Sequence, residues 1–206
     1  MKSILSLTLL LWSTLLLVAA SPINFSTTVL DEHSFVLRLE QVIDTEIQVQ
    51  IKDQRGFVLH EEGLSQQQAK SRRYDLRNLP AGNYVMIVDF DNQIKVQPIV
   101  KSATAIEVDN DLAETVIKPS LNYNNGLLDA NFFAGAASAV DVKIQDDEGQ
   151  VVYQERQELD SPFHKRYNLT QLPWGEYTFY FKVNYDGIPQ LNFSERISIQ
   201  ANLAAN

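Results

Sequence analysis

Cysteine is absent from the 206 residues. That absence excludes disulfide frameworks, thiolate nucleophiles, Cys-ligated zinc, iron–sulfur sites and the lipid-modified Cys of a bacterial lipoprotein. Histidine is scarce as well. His33, His60 and His164 stand far apart, without metal-ligand spacing and without a Ser nucleophile in a recognisable elbow, so no His-based metal site or triad is expected. Positive charge is in deficit, 17 Lys plus Arg against 26 Asp plus Glu for a net −9, and no long basic stripe overrides that sign. Such a chain repels a phosphate backbone, so nucleic acid is not an expected partner. No cofactor is expected either.

Only one long hydrophobic run is present. Ile4 to Ala20 is apolar except for Ser6, Thr8, Ser13 and Thr14, follows the single positive charge of Lys2, and ends Val18-Ala19-Ala20 before Ser21-Pro22. A short apolar core with a small-residue exit reads as a signal peptide over 1–20, cleaved after Ala20. No later stretch is apolar enough to span a bilayer, which predicts an exported chain without a stable membrane span after cleavage: periplasmic, cell-surface or secreted. An exported chain without Cys must hold each domain together by burial alone, which leans toward a bacterial source.

The chain repeats itself. Residues 47–84 align with 140–177 without a gap at a constant offset of 93, with 13 identities in 38 positions. Among the pairs are Val49/Val142, Ile51/Ile144, Asp53/Asp146, Gly56/Gly149, Glu62/Glu155, Arg73/Arg166, Tyr74/Tyr167, Gly82/Gly175 and Tyr84/Tyr177. A unit of about 90 residues is long enough to bury its own core, so the repeat is one of domains rather than of solenoid turns. The expected division is domain one at 22–109, a linker at 110–111, domain two at 112–201 and a tail at 202–206.

Within each unit apolar residues alternate with polar ones. Phe35, Leu37 and Leu39 interleave with Val36, Arg38 and Glu40, and Ile47, Val49 and Ile51 with Gln48, Gln50 and Lys52, the period of half-buried strands. Asp53-Gln-Arg-Gly56 and its copy Asp146-Asp-Glu-Gly149 read as hairpin turns in which Gly takes the left-handed conformation. Asp186-Gly187 reads as a further hairpin. Some seven strands per unit and no sustained helical period predict an all-β chain of two tandem antiparallel β-sandwiches of immunoglobulin or fibronectin-III type. Leu79-Pro80-x-Gly82-x-Tyr84, repeated at Leu172 to Tyr177, has the arrangement of a tyrosine corner, with each Tyr hydroxyl directed back to the preceding connection.

These residues carry a resemblance. Val49-x-Ile51-x-Asp53-x-x-Gly56-x-Val58, then Tyr74-x-Leu76-x-x-Leu79-Pro80-x-Gly82-x-Tyr84 and a basic-ended strand from Ile94 to Lys101, resembles the C-terminal sorting domain of the type IX secretion system of Bacteroidetes, and 142–177 carries the same pattern. The resemblance implies an immunoglobulin-like module of an exported Bacteroidetes protein, with sorting as one possible role.

Chemistry is sparse. Asp146-Asp147-Glu148 places three carboxylates together, but without EF-hand spacing, and the first unit builds the same turn without them, so an exposed hairpin is expected rather than a metal site. Lys70-Ser-Arg72-Arg73 and His164-Lys165-Arg166 read as charged strand faces, with Arg73 and Arg166, matched at the repeat offset, in a structural contact near the following Tyr. Trp174 stands where the first unit has Ala81, so the corner does not require it. With Tyr153, Tyr180 and Tyr185 it is the candidate contact for a glycan or protein partner, or else packs against the inter-domain surface or caps the sandwich. The expected function is therefore that of a non-enzymatic structural or adhesive module. The alternatives are a carbohydrate-binding accessory protein and a sorting-type module.

Overall fold

The computed structural model describes residues 24–40, 46–132, 137–159, 162–185 and 189–200. The expected leader, the Asp186-Gly187 hairpin and the 202–206 tail lie outside them. The described chain forms two antiparallel β-sandwiches, as the alternation predicts. The first consists of β1 (Phe25–Asp31), β2 (Ser34–Leu39), β3 (Ile47–Asp53), β4 (Val58–Leu64), β5 (Arg72–Asp75), β6 (Gly82–Phe90) and β7 (Gln93–Lys101). One four-residue helix, Gln66–Ala69, bridges β4 and β5. β1-β2-β5 is one sheet, and β4-β3-β6-β7 the other. Phe35, Leu37, Ile47, Val49, Ile51, Met86, Val88 and Ile99 fill the space between them.

After β7 the chain turns back along that strand. β8 (Ile106–Glu107) pairs with Val100 and Lys101, a 3-10 turn spans Asn110–Leu112, and β9 (Glu114–Ile117) pairs with Gln93 through Val96. The residues just past the expected linker are thus hydrogen-bonded into the first sandwich's sheet. The Asn110 amide clamps β1 in the manner of a strand partner: Thr27 N donates to Oδ1 at 2.9 Å, Thr27 Oγ1 at 2.6 Å, and Nδ2 donates to Thr27 O at 3.0 Å.

The second sandwich repeats the plan with β10 (Ser120–Asn124), β11 (Leu127–Phe132), β12 (Ala137–Asp146), β13 (Val151–Glu158), β14 (Phe163–Asn168), β15 (Gly175–Tyr185) and β16 (Leu191–Ile199). Its sheets are β10-β11-β14 and β13-β12-β15-β16. Among the described residues no helix is long and apolar enough to cross a membrane.

The repeated motifs are structural devices. Asp53 Oδ1 accepts the backbone N–H groups of Arg55 and Phe57, both at 2.9 Å, and Gly56 at φ 85° closes the turn. Asp146 does the same for Glu148 at 3.1 Å and Gln150 at 2.8 Å, with Gly149 at φ 82°. A side chain at either Gly would sit in the left-handed region that only Gly enters freely. Tyr84 donates its hydroxyl proton to Pro80 O at 2.8 Å and Tyr177 to Pro173 O at 3.0 Å, which completes both tyrosine corners. Gly82 and Gly175 open β6 and β15 beside those rings.

The two sandwiches differ on one face. In β6, Tyr84, Met86 and Val88 point into the first core, while Val85 and Ile87 on the opposite side are also buried, in one packed cluster with Ile94, Val96, Val116 and the core of the second domain. Pro189 reaches the same surface near Gly56, Val85 and Pro98. At the offset of 93, Val85 and Ile87 become Thr178 and Tyr180; on the neighbouring strand Val96, opposite Ile87, is replaced by Ser194, opposite Tyr180, and Ile94, opposite Asp89, by Asn192, opposite Lys182. The apolar version of the face is covered by the second domain; the polar version is open.

Candidate functional site

That open face is the site that the fold offers. The register sets Asp141 opposite Arg156 on β13 and Lys182 on β15, Lys143 opposite Gln154 and Tyr180, and Lys182 opposite Asn192 on β16. These side chains line a shallow groove of about 760 Å³. Tyr180 is among its lining residues, 37% exposed, with the Lys143 ammonium 4.6 Å from its ring centroid. Arg156 is held between Glu158, at 3.0 Å, and Asp141, at 3.4 Å, and the Glu158 bond followed by the Asp141 charge keeps it firmly protonated. Asn184 also donates to Asp141, at 3.2 Å. Lys182 has no ion pair among the described residues. An aromatic platform ringed by amides and cations can stack on a flat ligand and hydrogen-bond its polar groups.

The sequence candidates are not brought together. Trp174 is 75% exposed on the connection that leads into β15. Tyr180 lies six residues further on, which along a strand is about 20 Å. Tyr153 pairs with core-facing Ile144, so it lies on the opposite side of the sheet from Tyr180, edge-on to Tyr167 with centroids 5.7 Å apart. Tyr185 is buried at 8% exposure, and burial, then the charge of Glu114, pushes its hydroxyl pKa up. Only Tyr180 lies in the groove.

A second constellation recurs at the rim of both sandwiches. Glu62 accepts Arg72 Nε at 2.9 Å and lies 3.4 Å from His60 Nε2, beneath Tyr74. In the second domain Glu155 accepts the Tyr167 hydroxyl at 2.7 Å and the Lys165 ammonium. Burial acts to raise both carboxyls, and the hydrogen bonds and cations around them outweigh it, so both are held below the usual value. Burial and the neighbouring carboxylate push Tyr74 and Tyr167 well up. Arg73 and Arg166, expected in a contact near the following Tyr, pair instead with Asp31 at 2.9 Å and Asp129 at 2.6 Å, and Arg72 and Lys165 are the cations at the carboxylate beside each Tyr. The matched pairs Glu62/Glu155 and Tyr74/Tyr167 signalled this cluster in the sequence, which assigned them no role.

Residues 32–102 match the secretion system C-terminal sorting domain family. The match runs from the turn before β2 to the end of β7, about a third of the chain, and bears out the resemblance carried by the Asp-x-x-Gly turn and the Leu-Pro-x-Gly-x-Tyr corner. No curated protein matches the chain in sequence. Among solved structures it is similar to the BSP domain of a biofilm associated protein (14% identity, 88% of this chain and 30% of that one, TM-score 0.30). It is also similar to a tetra-tandem repeat from the extending region of a large adhesion protein (14%, 87% and 49%, TM-score 0.33). A third is a two-domain fibronectin type-III segment of chicken tenascin (9%, 85% and 98%, TM-score 0.32). The chain spans less than a third of the biofilm protein structure and about half of the adhesion repeat.

Proposed function

We propose that the protein is exported and acts in the envelope or outside the cell as a non-enzymatic interaction module, with the outer sheet face of the second domain as its partner-facing surface. The observation that carries this reading is the contrast between repeats: the same face is apolar and covered in the first domain, and polar, grooved and lined by Tyr180 in the second. The sorting-domain match over 32–102 supports export. Photo-crosslinking from the groove in the native organism tests the reading. A partner captured by the parent and lost in Tyr180→Ala with Lys182→Glu supports it; an unchanged capture pattern, or turnover by the purified protein on an ester, glycoside and peptide panel, sinks it.

A sorting role is the second reading, favoured by the family match. A reporter carrying residues 22–109 or 112–206 at its C-terminus is released to the medium under this reading, and retention of both fusions in the periplasm removes it. A glycan partner is favoured by Trp174, whose exposure leaves its ring free to stack on a sugar; glycan-array binding that survives Trp174→Ala counts against it.

A further inference from the structure

The repeat also differs along one edge. In the first domain the chain from β8 to β9 lies antiparallel along the outer edge of β7, buries Ile106, packs Val108 on the core, and covers the gap between β7 and β1. Gln97, wholly buried on the inward side of β7, donates to Asp109 O at 2.7 Å across that gap. In the second domain the equivalent strands are β16 and β10. Glu195 stands opposite Phe179 as Gln97 stands opposite Met86, and Leu121 stands opposite Ala130 as Thr27 stands opposite Leu37. Among the described residues nothing pairs with the outer edge of β16. Glu195 is exposed, has no hydrogen bond or ion pair there, and points to the inner side of the sheet, while Leu121, Tyr123 and Phe193 are only partly buried against the core.

We propose that the open side of the second domain is a docking site for an extended segment of a partner chain, which adds antiparallel to β16, packs an apolar side chain against Leu121 and Phe193, and places a basic side chain beside Glu195. Two observations set this chemistry. The first domain shows what this fold accepts at that position, an extended segment with an apolar residue at every second place, Ile106 and Val108, because a bare strand edge offers a row of unpaired backbone groups. The replacement of Gln97 by Glu195 then changes the requirement, since a carboxylate cannot donate to a carbonyl as the Gln amide does and is satisfied instead by a cation or an N–H. Gln at this position would suit a copy of the chain's own linker; Glu selects a basic occupant. The site deepens the interaction-module reading; it runs along the outer edge and inward side of β16, whereas the Tyr180 groove lies on the sheet's outer face, and the two meet at Asn192 and Phe193.

Hydrogen exchange on the full mature chain tests it, with two synthetic peptides as probes: the sequence of residues 104–118, and the same sequence with Asn110→Lys, the next inward place after Ile106 and Val108 and the one whose side chain reaches β1 in the first domain. The Lys peptide is expected to slow exchange of the 191–199 amides and to bind about tenfold more tightly than the unmodified one, the ratio of a partly buried charge-assisted contact. Glu195→Gln should abolish that preference, and Glu195→Lys, an exposed change that leaves the fold intact, should abolish binding of the Lys peptide. No protection of 191–199 by either peptide in the parent or in Glu195→Gln overturns the proposal. So does binding that appears only after deletion of 201–206, because the occupant is then the chain's own tail. Loss of crosslinking at the Tyr180 groove with protection at β16 intact defeats the groove reading alone; protection confined to the groove defeats this one alone.

Discussion

Glu62 and Glu155 each gather a cation and lie against a buried Tyr at the rim of a sandwich, and the second pair shows what such a carboxylate does for stability. Glu155 is desolvated, which by itself would raise its pKa, but bonds from Lys165, Tyr167 and Tyr153 and the Lys165 charge bring it below the ordinary 4.5. A carboxyl whose folded pKa is depressed stabilises the fold above its unfolded pKa and loses that contribution as pH falls through the folded value. Glu155→Gln should therefore destabilise by about 1–2 kcal/mol at neutral pH, with the deficit closing below about pH 4, in urea titrations across pH. A deficit that is constant with pH refutes the assignment. The tyrosine corners make a neutral counterpart. Tyr84→Phe or Tyr177→Phe removes a hydroxyl donor from a proline carbonyl and keeps the ring, so each should cost about 1 kcal/mol with little pH dependence between pH 5 and 8.

At the scale of strands, β6 and β15 are the informative pair, because they share a position in the fold and differ in what covers them. Ile87 is 4% exposed and Tyr180, its repeat equivalent, 37%. Ile87→Ala should cost about 2–4 kcal/mol by the loss of buried methyl groups and the cavity left behind, whereas Tyr180→Ala should stay within about 1 kcal/mol, both read from chemical denaturation. Equal costs would mean that the two faces are equally covered. Much of this was legible in the sequence. Strand positions followed from period-two alternation and the Asp-x-x-Gly turns from composition, since both depend only on near neighbours. The coverage of β6 left a trace as well: Tyr84-Val85-Met86-Ile87-Val88 is apolar without interruption, the pattern of a strand buried on both faces, whereas Tyr177-Thr178-Phe179-Tyr180-Phe181-Lys182 alternates. The grouping of Trp174, Tyr153, Tyr180 and Tyr185 was not legible in the same way. Parity along β15 does separate Tyr180 from Tyr185, which continues the inward series Tyr177, Phe179, Phe181 and Val183, but the side that Tyr153 takes depends on its cross-strand register with Ile144, which the spacing within one strand does not encode.

For the whole molecule, duplication followed by divergence of one face makes the two sandwiches unequal partners. The first carries Val85, Ile87, Ile94 and Val96 on its outer sheet, and among the described residues the second domain and Val116 of β9 keep them from water. The second presents charged and amide side chains on the corresponding face, so it has no such dependence there. Separation should therefore affect the halves differently. A fragment of residues 22–113 leaves off β9 and exposes those four side chains as one contiguous apolar patch, of the kind that drives association between copies. Sedimentation of this fragment should show self-association at concentrations where the full chain is monodisperse, and Ile87→Lys with Val96→Lys should return it to a monomer, since two like charges on that face repel their counterparts on a second copy. In the full chain the same double substitution should loosen the domains instead, seen as faster hydrogen exchange on β6, β7 and β15 together. A fragment that stays monomeric without the lysines would show that burial of this face is not what joins the two domains.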